Sequence, residues 1–193
     1  MKLNILTVLF RKEFLEKQYE SIPKKENINW IICKTKEWGK IPEVILKENI
    51  LKIKIAEVDC EEIRINFIKK INFGFEMIDE GFFYILDDDN IFTNEAYDVF
   101  EKYKNLNYEM IIGKQIRPNG QIYLNPEFPR QNFIDMGNVI CTTKVLKKVN
   151  YFNNINKDDT SYDGQFWIMC KQQIENENVL LINEPIFYYN GLR

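Results

Sequence analysis

Phe82-Phe83-Tyr84-Ile85-Leu86-Asp87-Asp88-Asp89-Asn90 is the stretch on which the reading of this chain turns. Five consecutive apolar or aromatic residues predict a short central strand buried on both faces. Three acids follow without a break. Like charges repel, and each carboxylate is costly to take out of water, so the run needs either solvent or a cation. In an extended segment Asp87 and Asp89 point one way and Asp88 the other. Such a pair suits Mg2+ or Mn2+ bound together with phosphate oxygens. A solvated acidic turn is the alternative. The glycine and distal glutamate of a calcium loop are absent.

Toward the N-terminus, Leu3–Leu9 reads as a buried strand and Lys12–Ser21 as a helix stopped by Pro23. Trp30–Cys33 and Leu51–Ala56 read as strands, the latter with Lys52 and Lys54 on a wet face. Asp59 with Glu62 marks a helix start. Ile63, Phe67, Ile68, Ile71, Phe75 and Ile78 then form one apolar stripe that ends near Gly81. The order β-α-β-β-α-β predicts an α/β fold with a mostly parallel, twisted sheet flanked by helices. Ligands bind beyond the carboxyl ends of such strands, which is where Asp87 falls.

Toward the C-terminus, Glu95–Tyr103 reads as a helix and Met110–Gly113 as a strand. Ile116 and Ile122–Leu124 around Pro118-Asn119-Gly120-Gln121 predict a hairpin. Asn125–Asn132 is irregular, Val139–Cys141 extended and Thr143–Val149 helical. Asn153–Tyr162 is a polar loop, Gly164–Gln173 a helix, and Val179–Tyr189 one or two closing strands.

The 193 residues suit one domain. The net charge of −3, with both signs interleaved, offers no basic block for nucleic acid. The chain contains no histidine, which excludes Ser-His-Asp and Cys-His mechanisms and leaves acid–base chemistry mainly to carboxylates. Cys33, Cys60, Cys141 and Cys170 form no CxxC pair and read as reduced, mostly buried thiols. The first ten residues lack a cleavage site, and no run approaches the roughly 20 apolar residues of a membrane span. These features predict a cytoplasmic protein.

Thr7-Val8-Leu9-Phe10 before a helix resembles the Thr-x-x-Tyr opening of GT-A glycosyltransferases. Asn72-Phe73-Gly74 ahead of Leu86-Asp87-Asp88-Asp89 resembles the family-2 pattern "RN-x-G … LDDD". Asp87-Asp88-Asp89-Asn90, then Arg130-Gln131-Asn132-Phe133-Ile134-Asp135-Met136-Gly137, then a distal acid, Asp163, is similar in order and spacing to the glucuronyltransferases of family 43. The resemblance implies a single GT-A domain over 1–193, with 1–90 binding the nucleotide sugar and 91–193 the acceptor. It implies Mn2+ or Mg2+ on Asp89, with Asp87 close by. Asp87 and Asp88 would touch ribose and donor sugar, and Phe10 would lie near the uracil. Thr7, Lys70 and Asn72 would line the donor side. Arg130 and Asp135 would hold acceptor hydroxyls, and Asp163 would be the base of an inverting transfer from a UDP-sugar to a glycan or other hydroxyl. Where the family has a C-terminal histidine at the diphosphate, this chain has Tyr189, Asn190 and Arg193.

Three other readings compete. The run Asp87–Ile91 loosely matches the DxDx[T/V] nucleophile of haloacid-dehalogenase-type phosphatases, and the same acids suit a nucleotidyltransferase. A non-catalytic, nucleotide-binding relic of the fold is the third. Residue by residue, Asp163 reads equally as the cap of the Gly164 helix, Asp135 as a turn brace and Arg130 as a surface residue. Trp30, Trp38 and Trp167 read as core or rim.

Overall fold

The computed structural model describes residues 1–59, 63–123, 128–130, 134–149 and 162–193. Its strands are β1 (Lys2–Val8), β2 (Ile28–Thr35), β3 (Lys52–Val58), β4 (Gly81–Ile85), β5 (Ile91–Phe92), β6 (Met110–Ile116), β7 (Ile122–Tyr123), β8 (Val139–Thr142) and β9 (Val179–Tyr188). Its helices are α1 (Leu15–Ser21), α2 (Glu43–Leu46), α3 (Ile63–Glu76), α4 (Asn94–Tyr103), α5 (Thr143–Lys148) and α6 (Tyr162–Lys171). The strands form one sheet in the order β3-β2-β1-β4-β8-β6-β9-β5, with β7 paired to β6.

The first four strands of that order run parallel. Beyond β4 the sheet is mixed: β8 is antiparallel to both β4 and β6, and β9 is parallel to β6. The carboxyl ends of β1, β4, β6 and β9 therefore share one edge. The expected mostly parallel α/β sheet is present, with the predicted hairpin as β6–β7. The closing segment is a single strand, β9. Its register with β6 shifts near Pro185, where a residue without an N–H is tolerated.

Both faces are covered, which is why β4 is apolar throughout. Phe83 and Ile85 join the core under α3, α5 and α6, with Leu6, Ile71, Phe75, Leu146 and Phe166. Phe82, Tyr84 and Leu86 face the other core, with Leu15, Trp30, Val99 and Phe100 from α1, β2 and α4. Trp30 and Trp167 are fully buried. Trp167 stacks on Phe83 with ring centres 5.7 Å apart. Trp38 is half-buried, with the Lys12 ammonium 5.8 Å from its ring centre. Gly74 lets α3 press onto the sheet, because a Cβ there would come within 2.4 Å of Cys33 Sγ and 2.6 Å of Leu6 Cδ1.

Cys33, Cys141 and Cys170 are free and buried; Cys60 and Glu62 lie outside the described residues. So do most of Asn125–Asn132 and, but for its last residue, the Asn153–Tyr162 loop. Asp59 is described and pairs with Lys36 at 3.0 Å. Among the described residues no helix is long and apolar enough to cross a membrane.

Candidate active site

β4 hands the chain to the acidic run, but the run does not stay extended. Asn90 N–H donates to the Asp87 carbonyl at 3.0 Å, closing a turn. The alternation expected for Asp87 and Asp89 is therefore lost, because a reversal breaks the two-residue period of a strand. Gln18 of α1, fully buried, holds the turn by donating its amide to the Asp87 carbonyl (2.8 Å) and the Asn90 carbonyl (3.3 Å). On the other side, Asn190 N–H donates to Asn90 Oδ1 at 2.8 Å and Leu192 N–H to the Asp89 carbonyl at 3.1 Å.

The three acids meet different surroundings. Asp88 is 1% exposed. Its Oδ2 accepts the backbone N–H groups of Phe10 and Arg11, both at 2.6 Å. Its Oδ1 accepts Arg11 Nε at 3.0 Å and Nη2 at 2.5 Å. Asp88 thus brackets the loop that leaves β1. Asp89, also buried, receives Arg11 Nη1 at 2.7 Å and Arg193 Nε at 2.6 Å on one oxygen, Oδ2. Burial alone would lower the Arg11 pKa, but its bonds and charge contacts with Asp88 and Asp89 raise it.

Asp87 turns toward two further acids. Burial pushes its pKa well above the carboxylate range, and the charges of Asp135 and Asp163 add to the shift. Asp163, in the first turn of α6, is raised to about 7 by burial and by Asp135. Asp135 is raised to about 6 by burial, opposed by the N–H groups of Gly137 and Met136. It sits at the start of a short 3-10 turn, Met136–Asn138, where its own N–H donates to Asn138 Oδ1 at 2.8 Å. Gly137 allows that turn to lie on Phe187, since a Cβ there would stand 2.9 Å from the ring. Asp135 Oδ1 is buried and has no hydrogen-bond partner among the described residues.

All five carboxylates line one cavity of about 270 Å3, with Val8, Phe10, Arg11, Phe67, Tyr189, Asn190 and Arg193. Of the residues singled out in the sequence, the structure brings together Phe10, Asp87, Asp88, Asp89, Asp135, Asp163, Tyr189, Asn190 and Arg193. Four others lie off its wall. Thr7 is fully buried, its hydroxyl accepting Trp30 Nε1 at 3.0 Å. Lys70 is buried, donating to the Leu9 carbonyl at 2.7 Å and lying 4.1 Å from the Phe10 ring centre. Asn72 is half-buried on α3, and Arg130 is exposed in the 128–130 segment. Sequence reading gave no role to Arg11 or Gln18. Arg11 directly follows the Thr7–Phe10 motif, but its partners lie 77 and 78 positions away.

The donor set is hard carboxylate oxygen, and a buried unpartnered Asp135 oxygen opens beside it, so the chemistry suits Mg2+ or Mn2+. Among the described residues no three such ligands are already gathered as a metal cluster. Two guanidinium groups occupy the Asp89 oxygen.

No family model and no curated protein sequence matches the chain. Solved structures do. S. aureus TarS 1–349 superposes with a TM-score of 0.71 at 14% identity, over 97% of this chain and 60% of that one. The fold is one that glycosyltransferases have. The mannosyltransferase PcManGT from Pyrobaculum calidifontis, in complex with GDP-Man and Mn2+, superposes with a TM-score of 0.60 at 10% identity, over 95% of this chain and 55% of that one. TarS 1–349 is also known in complex with UDP and with UDP-GlcNAc. This chain spans 60% or less of the length of these neighbours. The likeness is one of fold and does not single out family 43.

Proposed function

We propose that this chain transfers a sugar, with inversion, from a nucleotide diphosphate sugar (a UDP-sugar in our reading) to a hydroxyl of a glycan or other acceptor. Mn2+ or Mg2+ would be held by Asp89 with Asp87. The reading rests on one observation: Asp163, its carboxyl raised to about 7, opens into the same cavity as Asp89 and the Arg11 and Arg193 guanidinium groups. A general base works best with a pKa near the working pH, and here it stands beside a place for a departing diphosphate.

Residues 1–90 supply the donor side. Phe10, 43% exposed, offers a ring face to the nucleobase, and Lys70 beneath it fixes the loop. Asp88 holds that loop to the acidic turn. When bound, the cation supplies positive charge for the diphosphate leaving group. Residues 91–193 supply the acceptor side. Asp163 accepts the proton of the attacking hydroxyl, while Asp135 orients that acceptor. The charge of Asp135 beside Asp163 keeps Asp163 basic.

The test is release of UDP or GDP from UDP-GlcNAc and GDP-Man with Mn2+, across a panel of glycan acceptors. Acceptor-dependent release that Asp163→Asn abolishes supports the reading. A phosphoenzyme trapped on Asp87, or nucleotide binding without turnover on any acceptor, would overturn it.

A further inference from the structure

The Asp89 carboxylate is buried, and its Oδ2 carries two guanidinium groups at once, Arg11 Nη1 and Arg193 Nε. The two arginines are anchored very differently. Arg11 is forked onto Asp88 through Nε and Nη2 and tied by its own backbone N–H. Arg193 has 56% of its side chain exposed, and the hydrogen bonds that fix its turn come from backbone groups. Leu192 N–H reaches the Asp89 carbonyl, Arg193 N–H the Asn190 carbonyl, and Asn190 N–H the Asn90 side chain. The turn can therefore stay in place while the Arg193 guanidinium leaves Asp89.

We infer that Arg193 is the exchangeable counter-ion of Asp89: it neutralises the carboxylate in the ligand-free protein and moves to the donor diphosphate when a divalent cation takes its place. This rests on the function proposed above and adds a coupling between its two ligands. A divalent cation arriving alone meets a buried carboxylate whose Oδ2 is already neutralised by two guanidinium groups, and their charges weaken its binding until Arg193 leaves. A nucleoside diphosphate arriving alone finds Arg193 already occupied. Arriving together, each ligand supplies the charge that the other displaces. Binding of each then strengthens the other by the same factor, as linkage requires. The fork geometry of arginine suits both partners, since carboxylate and phosphate each accept two parallel N–H bonds.

Free Mn2+ can be counted by its paramagnetic resonance signal while it is titrated into wild type, Arg193→Ala and Arg193→Lys. Each titration is run alone, with UDP and with GDP. In wild type, Mn2+ alone should bind weakly, and the effective nucleotide should tighten it on the order of tenfold or more. In Arg193→Ala, Mn2+ alone should bind on the order of tenfold tighter than in wild type, and the gain from nucleotide should shrink by a similar factor. Arg193→Lys should fall between the two. A variant damaged in folding would lose Mn2+ affinity, so a gain is not a structural artefact. Unchanged or weaker Mn2+ binding in both variants, with coupled binding intact in wild type, overturns the exchange and leaves the proposed function standing. Wild type that binds neither Mn2+ nor nucleotide in any combination overturns both.

Discussion

The two sides of the cavity hold carboxylates in opposite states. Asp88 and Asp89 are the more buried pair, yet each is met by arginine. Asp87, Asp135 and Asp163 crowd one another instead, and all three are shifted toward the protonated form. The Asp88–Asp89 side is thus neutralised in advance, and its turn is fixed by Gln18 and the backbone of residues 190 and 192. The Asp87–Asp135–Asp163 side is left electrostatically unsatisfied, and the proposed transfer takes its proton there.

The comparison can be broken most severely at Asp163. Asp163→Asn should lower sugar transfer by a factor on the order of 100 to 10,000, the usual contribution of a general base, measured as initial rate at saturating donor. A rate within a few-fold of wild type would place the base elsewhere. Next in size is the loss of the arginine anchor. Arg11→Ala leaves Asp88 without its fork and Asp89 with only Arg193. It should cost about 2 kcal/mol, less than a fully buried pair because Arg11 is 30% exposed. Urea unfolding measures this, and no loss would show that the backbone N–H groups of Phe10 and Arg11 suffice.

The pH dependence separates the sides further. Folded Asp163 keeps its proton to about 7, against 3.8 for an ordinary carboxyl. The folded chain therefore binds more protons between those values, and the contribution of this group to stability falls as pH rises through that window. Asp135, raised to about 6, acts in the same direction. Asp163→Asn should accordingly raise the melting temperature by a few degrees at about pH 8 and give little at about pH 4. An inactive but more stable protein is the expected signature; a lower melting temperature at both pH values would contradict it. The smallest effect is expected at Gln18→Leu. It removes two hydrogen bonds to the acidic turn and should cost about 1–2 kcal/mol in urea unfolding.

The sequence made the frame legible where burial dictates residue type. The unbroken apolar run Phe82–Leu86 exists because β4 is covered on both faces, and the Phe67–Phe75 stripe because α3 lies on the parallel half of the sheet. Short elements were not visible: β5 is the two residues Ile91–Phe92, defined only by pairing with β9, and α2 has a single turn. At the site, residue types pointed to a carboxylate centre, but their division of labour depends on contacts remote in sequence. Nothing local to Arg11 announces Asp88, and nothing local to Asp87 announces the Gln18 clamp that turns the run away from an extended path. Thr7 carried a motif-based expectation, whereas its hydroxyl is spent on Trp30 inside the core.

The most direct measurement is calorimetric titration of UDP and of GDP into the protein with Mn2+ present, for wild type and for Asp89→Asn shown to be folded by circular dichroism. A nucleotide diphosphate site built on the acidic turn predicts Mn2+-dependent binding of at least one of the two in wild type and its loss in Asp89→Asn. Equal binding in both proteins, or none in wild type, would contradict it.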